Sequence, residues 1–348
     1  MTEADPRPGI SLSTALCDLL GIEVPIVQAP IGSATCPELA GAVSGAGALG
    51  TLALTWTGPR GCAEKIRATR ALTDRPFAVN LVLDWDPRER IEICAREGVP
   101  LISTFWGDPA PYVELVHAAG ALHLHTVGSV AEAVTAAGAG VDVIVAQGSE
   151  AGGHVHGSTS TLALVPAVVD AVGPVPVIAA GGIADARGVV AVLSLGAKGA
   201  WIGTRFLLAD EANVHAAYRR RVLAASADDT VYTEVFTEGW PDAPHRVLRN
   251  GTLTAWEAAG RPAAGQRPGE GDHVATAPNG AALPRYHMAM PQAGTDGDVE
   301  EMALYAGQGV GLARACAPAA DIVRELRDGA RRLLGADVTS VRTTSSFQ

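Results

Sequence analysis

The sequence predicts an α/β fold, a (β/α)8 TIM barrel with a smaller inserted domain or lid toward its carboxyl end. Three observations point there: eight short Val/Ile/Leu-rich runs bounded by turn residues, helix-length segments between them, and a change of pattern after Phe206. The runs are residues 25–29, 48–53, 77–81, 100–104, 122–126, 142–147, 175–180 and 200–203. Near-continuous apolarity suits parallel strands covered on both faces, where alternation would press polar side chains against a helix layer. Eight strand-helix units in about 200 residues match a closed barrel better than a doubly wound sheet, the alternative architecture.

In chain order, residues 39–59 carry no charge, but Gly41, Gly45, Gly47, Gly50 and Gly58 divide them into helix, turn and strand rather than a membrane span. Crossover helices are expected over 87–97, 109–119, 129–139 and 185–195. Their signals are Pro87 and Pro109 in first turns, Ser129 with Glu132 as a capping box, and Gly98, Gly120, Gly138 and Gly196 near the ends. After Phe206 come an Arg-rich helix over 212–225, a mixed segment over 231–250 and a Gly/Pro-rich run over 260–294. Helices over 299–316 and 319–334 bring the chain back to the barrel, and the polar tail 338–348 is expected to fray. The reading is therefore a barrel of residues 1–210 and 296–348, with 211–295 forming the smaller domain or lid and ending in a long irregular arm.

Composition narrows the function classes. With 48% hydrophobic residues, 18% charged, 40 Gly and 22 Pro, the chain is too apolar for disorder and too interrupted for a coiled coil. A formal charge of −11 without a basic stripe opposes binding to nucleic acid or to an anionic membrane. The amino terminus, MTEADPRPGI, lacks the basic start and apolar run of a signal peptide, so the expected location is the cytoplasm. Five scattered cysteines, at 17, 36, 62, 94 and 316, form no CxxC pair and read as buried reduced thiols.

Three glycine-bearing strand ends converge on the carboxyl face of such a barrel: QGSEAGGH (147–154), AAGGIAD (179–185) and GTRF (203–206). The last two follow the seventh and eighth strands, whose loops suit a phosphate, because glycine lets backbone N–H groups approach its oxygens. His154 stands one short turn after the sixth strand, placed to act as a base near neutral pH. Glu150 and His156 beside it raise a metal alternative, weakened by the lack of a fixed geometry across Gly152 and Gly153 and of a second ligand cluster. Gln28, Ala29, Asn80, His125 and Gln147 end other strands, and such an amide and imidazole ring can hydrogen-bond a flat heterocycle.

These motifs, with QAP at 28–30, VNL at 79–81, LGAKGAWIGTRF at 195–206 and YAGQGVG at 305–311, resemble the nitronate monooxygenase family, formerly called 2-nitropropane dioxygenases. The resemblance runs through most of the chain, and the flavin-barrel group it points to also contains FMN-dependent enoyl-acyl-carrier-protein reductases. It implies an FMN-dependent oxidoreductase with His154 as catalytic base and Gln28, Ala29, Asn80, Gln147 and Gly153 around the isoalloxazine. Gly181, Gly182, Gly203 and Thr204 would hold the FMN phosphate, and Pro30, His125, Gly152 and Ala180 complete the expected cofactor set, with no metal. The sequence departs from the family pattern at Ile31 and Ser149, both expected near the substrate. Trp240, Tyr286 and His287 either close over the flavin or pack the arm onto the barrel.

The implied activity is oxidation of alkyl nitronates, or of nitroalkanes, by O2 to a carbonyl compound and nitrite. An FMN-dependent NAD(P)H enoyl reductase and a flavin-binding protein without turnover are the competing readings. Either a monomer or a homodimer is compatible with the sequence.

Overall fold

The computed structural model describes residues 11–335. The expectations for the first ten residues and for the polar tail lie outside the described residues. Fourteen strands are present among these residues: β1 Ile26–Gln28, β2 Gly50–Ala53, β3 Phe77–Val82, β4 Leu101–Phe105, β5 Leu122–Val127, β6 Val143–Gln147, β7 Gly153–His154, β8 Val177–Ala180, β9 Gly199–Ile202, β10 Thr230–Thr233, β11 His245–Leu248, β12 His273–Thr276, β13 Ala282–Pro284 and β14 Asp296–Gly297.

Eight of them form one parallel sheet in the order β1-β9-β8-β6-β5-β4-β3-β2. Its two ends meet through a parallel bridge between Val27 and Leu49. Gln28 N–H donates to the Leu49 carbonyl at 2.9 Å and Leu49 N–H to that of Ile26 at 3.0 Å, which draws the sheet into the barrel that the sequence predicts. Along the strands, alternate residues divide cleanly between two layers. Val27, Leu49, Ala78, Leu101, Leu124, Val143, Val145, Ile178, Ala180 and Trp201 fill the interior with Leu16, Cys17 and Leu20 of α1 (Ala15–Leu20). Their neighbours Ile26, Ile144, Ala146, Val177, Ala179, Ala200 and Ile202 pack against the helix layer.

The barrel helices are α2 (Pro37–Gly45), α3 (Pro59–Leu72), α4 (Arg88–Arg96), α5 (Val113–Ala118), α6 (Val130–Gly138), α7 (Thr161–Val172) and α8 (Ala186–Ser194). Ser129 caps α6 as the sequence indicates, its Oγ accepting from Glu132 N–H at 3.2 Å while the Glu132 carboxylate accepts from Gly128 N–H at 2.9 Å. The eighth crossover helix is delayed. The chain first forms α9 (Ala216–Ala224), α10 (Gly251–Ala258) and two three-stranded sheets, β10-β11-β7 and β13-β12-β14. Only then does α11 (Ala319–Gly335) pack against α8 and α2 with Ile322, Val323, Leu326 and Ala330 buried.

Two expectations for this region are corrected. The arm over 260–294 contains β12 and β13 rather than irregular chain alone. Residues 299–316 hold two short 3-10 turns, Val299–Glu301 and Gln308–Leu312, instead of a helix. Gly307, Gly309 and Gly311 disfavour helix there, and the segment's backbone is spent on neighbours, Gln308 N–H donating to Glu150 at 2.9 Å and the Leu304 carbonyl accepting from Leu248 N–H at 2.8 Å. The cysteine expectation is also only partly met: Cys17, Cys62 and Cys94 are buried, Cys36 is half-buried and Cys316 is exposed. Among the described residues no helix is long and apolar enough to cross a membrane.

Candidate active site

A cavity of about 520 Å³ opens at the carboxyl ends of the barrel strands, a volume typical of small-molecule and cofactor sites. Ala29, Pro30, Asn80, Gln147, Gly152, Gly153, His154, Ala180, Gly181, Gly182, Gly203 and Thr204 all line it. The structure thus brings together most of the residues singled out from sequence. Gln28 and His125 do not join them.

Strand parity explains both absences. In β5, Leu124 faces the barrel interior, so His125 projects into the helix layer and Thr126 meets the cavity instead. His125 Nδ1 there shares the Thr104 hydroxyl, 2.8 Å away, with His123 Nε2 at 2.7 Å. In β1, Val27 faces inward, and Gln28 turns to the barrel seam, its Oε1 accepting from Thr51 N–H at 3.0 Å. Its amide thereby takes the place of a ladder carbonyl between the first and last strands of the sheet.

His154 is mounted from two sides. Its strand β7 pairs antiparallel with β11, His154 opposite His245, and its carbonyl accepts from Gln147 Nε2 at 3.1 Å. The imidazole lies 4.1 Å from the Trp240 ring, 5.4 Å from that of His245 and 5.5 Å from that of Tyr305, centroid to centroid. Its Nε2 and Gln147 Oε1 are both buried without a hydrogen-bond partner among the described residues. Burial, reinforced by His245, holds the His154 pKa well below the ordinary histidine value. The ring is therefore a neutral base at physiological pH.

The neighbouring polar groups are committed elsewhere. The Glu150 carboxylate accepts from Thr161 N–H at 2.8 Å and from its hydroxyl at 3.0 Å, tying the β6–β7 loop to the start of α7. His156 faces Glu132 at 3.2 Å, so Glu150, His154 and His156 do not converge on one point. Ser149 lies off the cavity with its carbonyl held by Arg246 at 2.9 Å, whereas Ile31 lines the cavity as expected. Trp240 and His287 line it too; Tyr286 turns away, its hydroxyl donating to the Pro268 carbonyl at 2.7 Å.

The glycine loops form a tight cradle. Gly181 has φ +109°, a conformation reserved for glycine, and a Cβ there would fall 2.7 Å from Thr161 Oγ1 and 3.0 Å from the Gly148 carbonyl oxygen. On the opposite side the 305–311 segment closes in, a Cβ on Gly152 meeting Gly307 N at 2.4 Å. Gly307 N–H donates to Thr204 Oγ1 at 3.0 Å. Sequence reasoning left out Trp56, Phe105, Met288, Met290, Tyr305 and Gly309, which also line the cavity. Parity along β4 and β5 points to Phe105 and Thr126; the methionines sit in the arm with no local signal.

Buried neutral histidines carry a consequence for stability. Burial pushes His125 down to about 3, and His123 and His245 to about 4, from an ordinary 6.5. Between those values the unfolded chain binds protons that the folded chain refuses, so stability falls as pH falls. The urea midpoint is expected to drop steadily from about pH 6.5 to 5, a window in which most carboxylates stay ionised. A midpoint constant across that window would contradict the burial.

Comparison with known proteins agrees with this architecture. A nitronate monooxygenase family model matches residues 13–88 and 85–329. A Mycobacterium tuberculosis dehydrogenase of a hydroxy-methyl-oxo-octahydroindene carboxyl-CoA is 39% identical over 253 residues, 72% of this chain and 70% of that protein. FabK from Thermotoga maritima superposes with a TM-score of 0.77 at 29% identity, over 92% of this chain and 97% of that one. A nitroalkane oxidase from Streptomyces ansochromogenes gives 0.74 at 30% identity, over 93% and 100%. The chain belongs to the nitronate monooxygenase family, and with that membership it is a flavoprotein oxidoreductase of the nitronate monooxygenase type.

Proposed function

We propose that the chain binds FMN and oxidises small alkyl nitronates with O2 to a carbonyl compound and nitrite. The observation that carries this reading is the make-up of the cavity: a half-buried imidazole whose ring makes no hydrogen bond and, among the described residues, no Asp, Glu, Lys or Arg side chain in the lining.

The residues present fit a flavin. Gln147 Oε1 is an acceptor that needs a donor from a ligand, and a flavin ring edge offers N–H groups. Ala29, Asn80 and Gln147 would hold the ring, while Gly181, Gly182, Gly203 and Thr204 would hold the phosphate through backbone N–H groups. When bound, the flavin supplies electron transfer and the reaction with oxygen.

The chain's own part is proton handling and solvent exclusion. With a neutral nitroalkane, the His154 imidazole takes the proton from the carbon bearing the nitro group, and the C–H electron pair stays behind as the nitronate. The imidazolium then sits beside the anion it created, in surroundings that screen the attraction weakly. Trp56, Trp240, Phe105 and Met288 keep the wall apolar.

FMN-loaded protein is expected to consume O2 and release nitrite with propyl-2-nitronate. Its kcat/KM is expected to be at least about tenfold lower for a nitronate of similar size bearing a carboxylate, because the second negative charge is desolvated with no cationic partner for it among the described residues of the cavity. Absence of nitrite with either compound would remove the reading. The identity with the mycobacterial CoA-ester dehydrogenase favours a second reading, flavin-linked hydride transfer to or from an acyl thioester. NADH oxidation that depends on an enoyl thioester, without nitrite release from nitronates, would establish that alternative.

A further inference from the structure

The imidazole of His154 is held without a hydrogen bond. None of the side-chain hydrogen bonds among the described residues involves its ring nitrogens, and Nε2 is buried with no partner. Packing alone fixes the plane of the ring. The nearest aromatic ring is that of Trp240, 4.1 Å between centroids with the planes 34° apart.

Trp240 itself is anchored on several sides. It is 3% exposed, and its indole Nε1–H donates to Asp84 Oδ2 at 2.7 Å. Trp56, Trp85 and Trp106 meet it edge-to-face at 5.9, 5.1 and 5.0 Å. Asp84 lies beyond the end of β3, in the barrel, whereas Trp240 lies between β10 and β11. This hydrogen bond therefore joins the post-barrel segment to the barrel rim beside the cavity.

We propose that Trp240, latched by Asp84, is the positioning residue for His154: it sets the plane of the imidazole, keeps water from it, and offers an aromatic face to the imidazolium formed on proton transfer. A cation within about 6 Å of an indole face is attracted by the ring quadrupole. The Trp240–His154 contact is well inside that reach. The other groups facing the ring are His245 from β11, Tyr305, and Trp106 with His156 beyond it; His287 lines the same cavity. Among the described residues no carboxylate or guanidinium lines the cavity. Among the aromatic rings around His154 in the described residues, Trp240 is the one that donates a hydrogen bond to a carboxylate.

The inference rests on His154 as the base proposed above, but its test reads the ring directly and requires no turnover. In FMN-loaded protein the His154 ring is titrated by NMR, its signal assigned by loss in His154→Gln. Removing the indole admits water, which raises the ring's pKa, and removes the π contact, which lowers it. Burial moves a histidine by several pH units and the π contact by less, so the rise wins.

Trp240→Ala is therefore expected to move the titration up by about one pH unit or more, toward the ordinary 6.5. The acid limb of the kcat/KM profile for a neutral nitroalkane should follow, and kcat should fall about tenfold with little change in KM. Asp84→Ala, at an exposed position that spares folding, should shift the titration in the same direction by less. Asp84→Asn, which keeps an acceptor for the indole, should restore it. Titration curves in Trp240→Ala, or in Asp84→Ala where Trp240→Ala does not fold, that superimpose on wild type would overturn the proposal.

Discussion

His154→Asn should cost turnover of neutral nitroalkanes a factor of about 10²–10⁴, the span a positioned general base contributes, while oxidation of preformed nitronates stays within about tenfold of wild type. The asymmetry follows from where the proton is. A nitroalkane must surrender one, and among the described side chains of the cavity only His154 offers a neutral imidazole whose ring makes no hydrogen bond. Tyr305 cannot substitute, because burial pushes its phenol pKa up and its hydroxyl already donates to the Met288 carbonyl at 2.8 Å. His287 is committed as well, its Nδ1 accepting from Ala289 N–H at 2.9 Å. A preformed nitronate has no proton to lose and needs only the cavity and the flavin. Nitrite release measured with both substrates decides the matter; equal loss on both would assign His154 to binding rather than to base catalysis.

Gly181→Ala should disrupt the cradle with a single methyl. Two penalties act together: φ +109° is closed to alanine, and the added carbon would fall 2.7 Å from Thr161 Oγ1. Backbone strain of this kind costs about 1–3 kcal/mol by itself. The Thr161 hydroxyl cannot simply retreat, since it is bonded to Glu150 and to the Gly181 carbonyl, each at 3.0 Å. Relief must come from the loop that would hold the phosphate, so the purified variant should lose visible flavin absorbance and melt at a lower temperature. Gly120→Ala is the control, since it has φ +75° but nothing within 4 Å of the added carbon. It should lose some stability and keep its flavin, and equal flavin content in the two variants would remove the cradle from the account.

The barrel was legible because parallel strands announce themselves twice, by apolar runs and by the glycine turns that end them. All eight runs became barrel strands within a residue or two of their expected ends. What a run does not announce is its parity. A continuously apolar strand reads the same from either face, so the sequence alone places Gln28 and His125 inward where the pleat turns them outward. Asn80, Gln147 and Ala180 fall on the inward parity and line the cavity. The region after β9 was less legible for another reason: β12 and β13 are short, lie among glycines and prolines, and gain their partners only in three dimensions. The tryptophan cluster is dispersed over positions 56, 85, 106 and 240, and no local pattern links them.

The pairing of β7 with β11 ties His154 to chain that lies outside the eight barrel strands. His154 leaves the barrel within a short loop, yet its backbone is hydrogen-bonded to chain that follows the ninth strand and precedes the last helix. Exchange of that later chain among relatives, by recombination or by design, would therefore change the setting of His154 together with the walls of the pocket. Because Gly307 of that chain also donates to Thr204, such an exchange would reach the glycine cradle as well as the pocket wall.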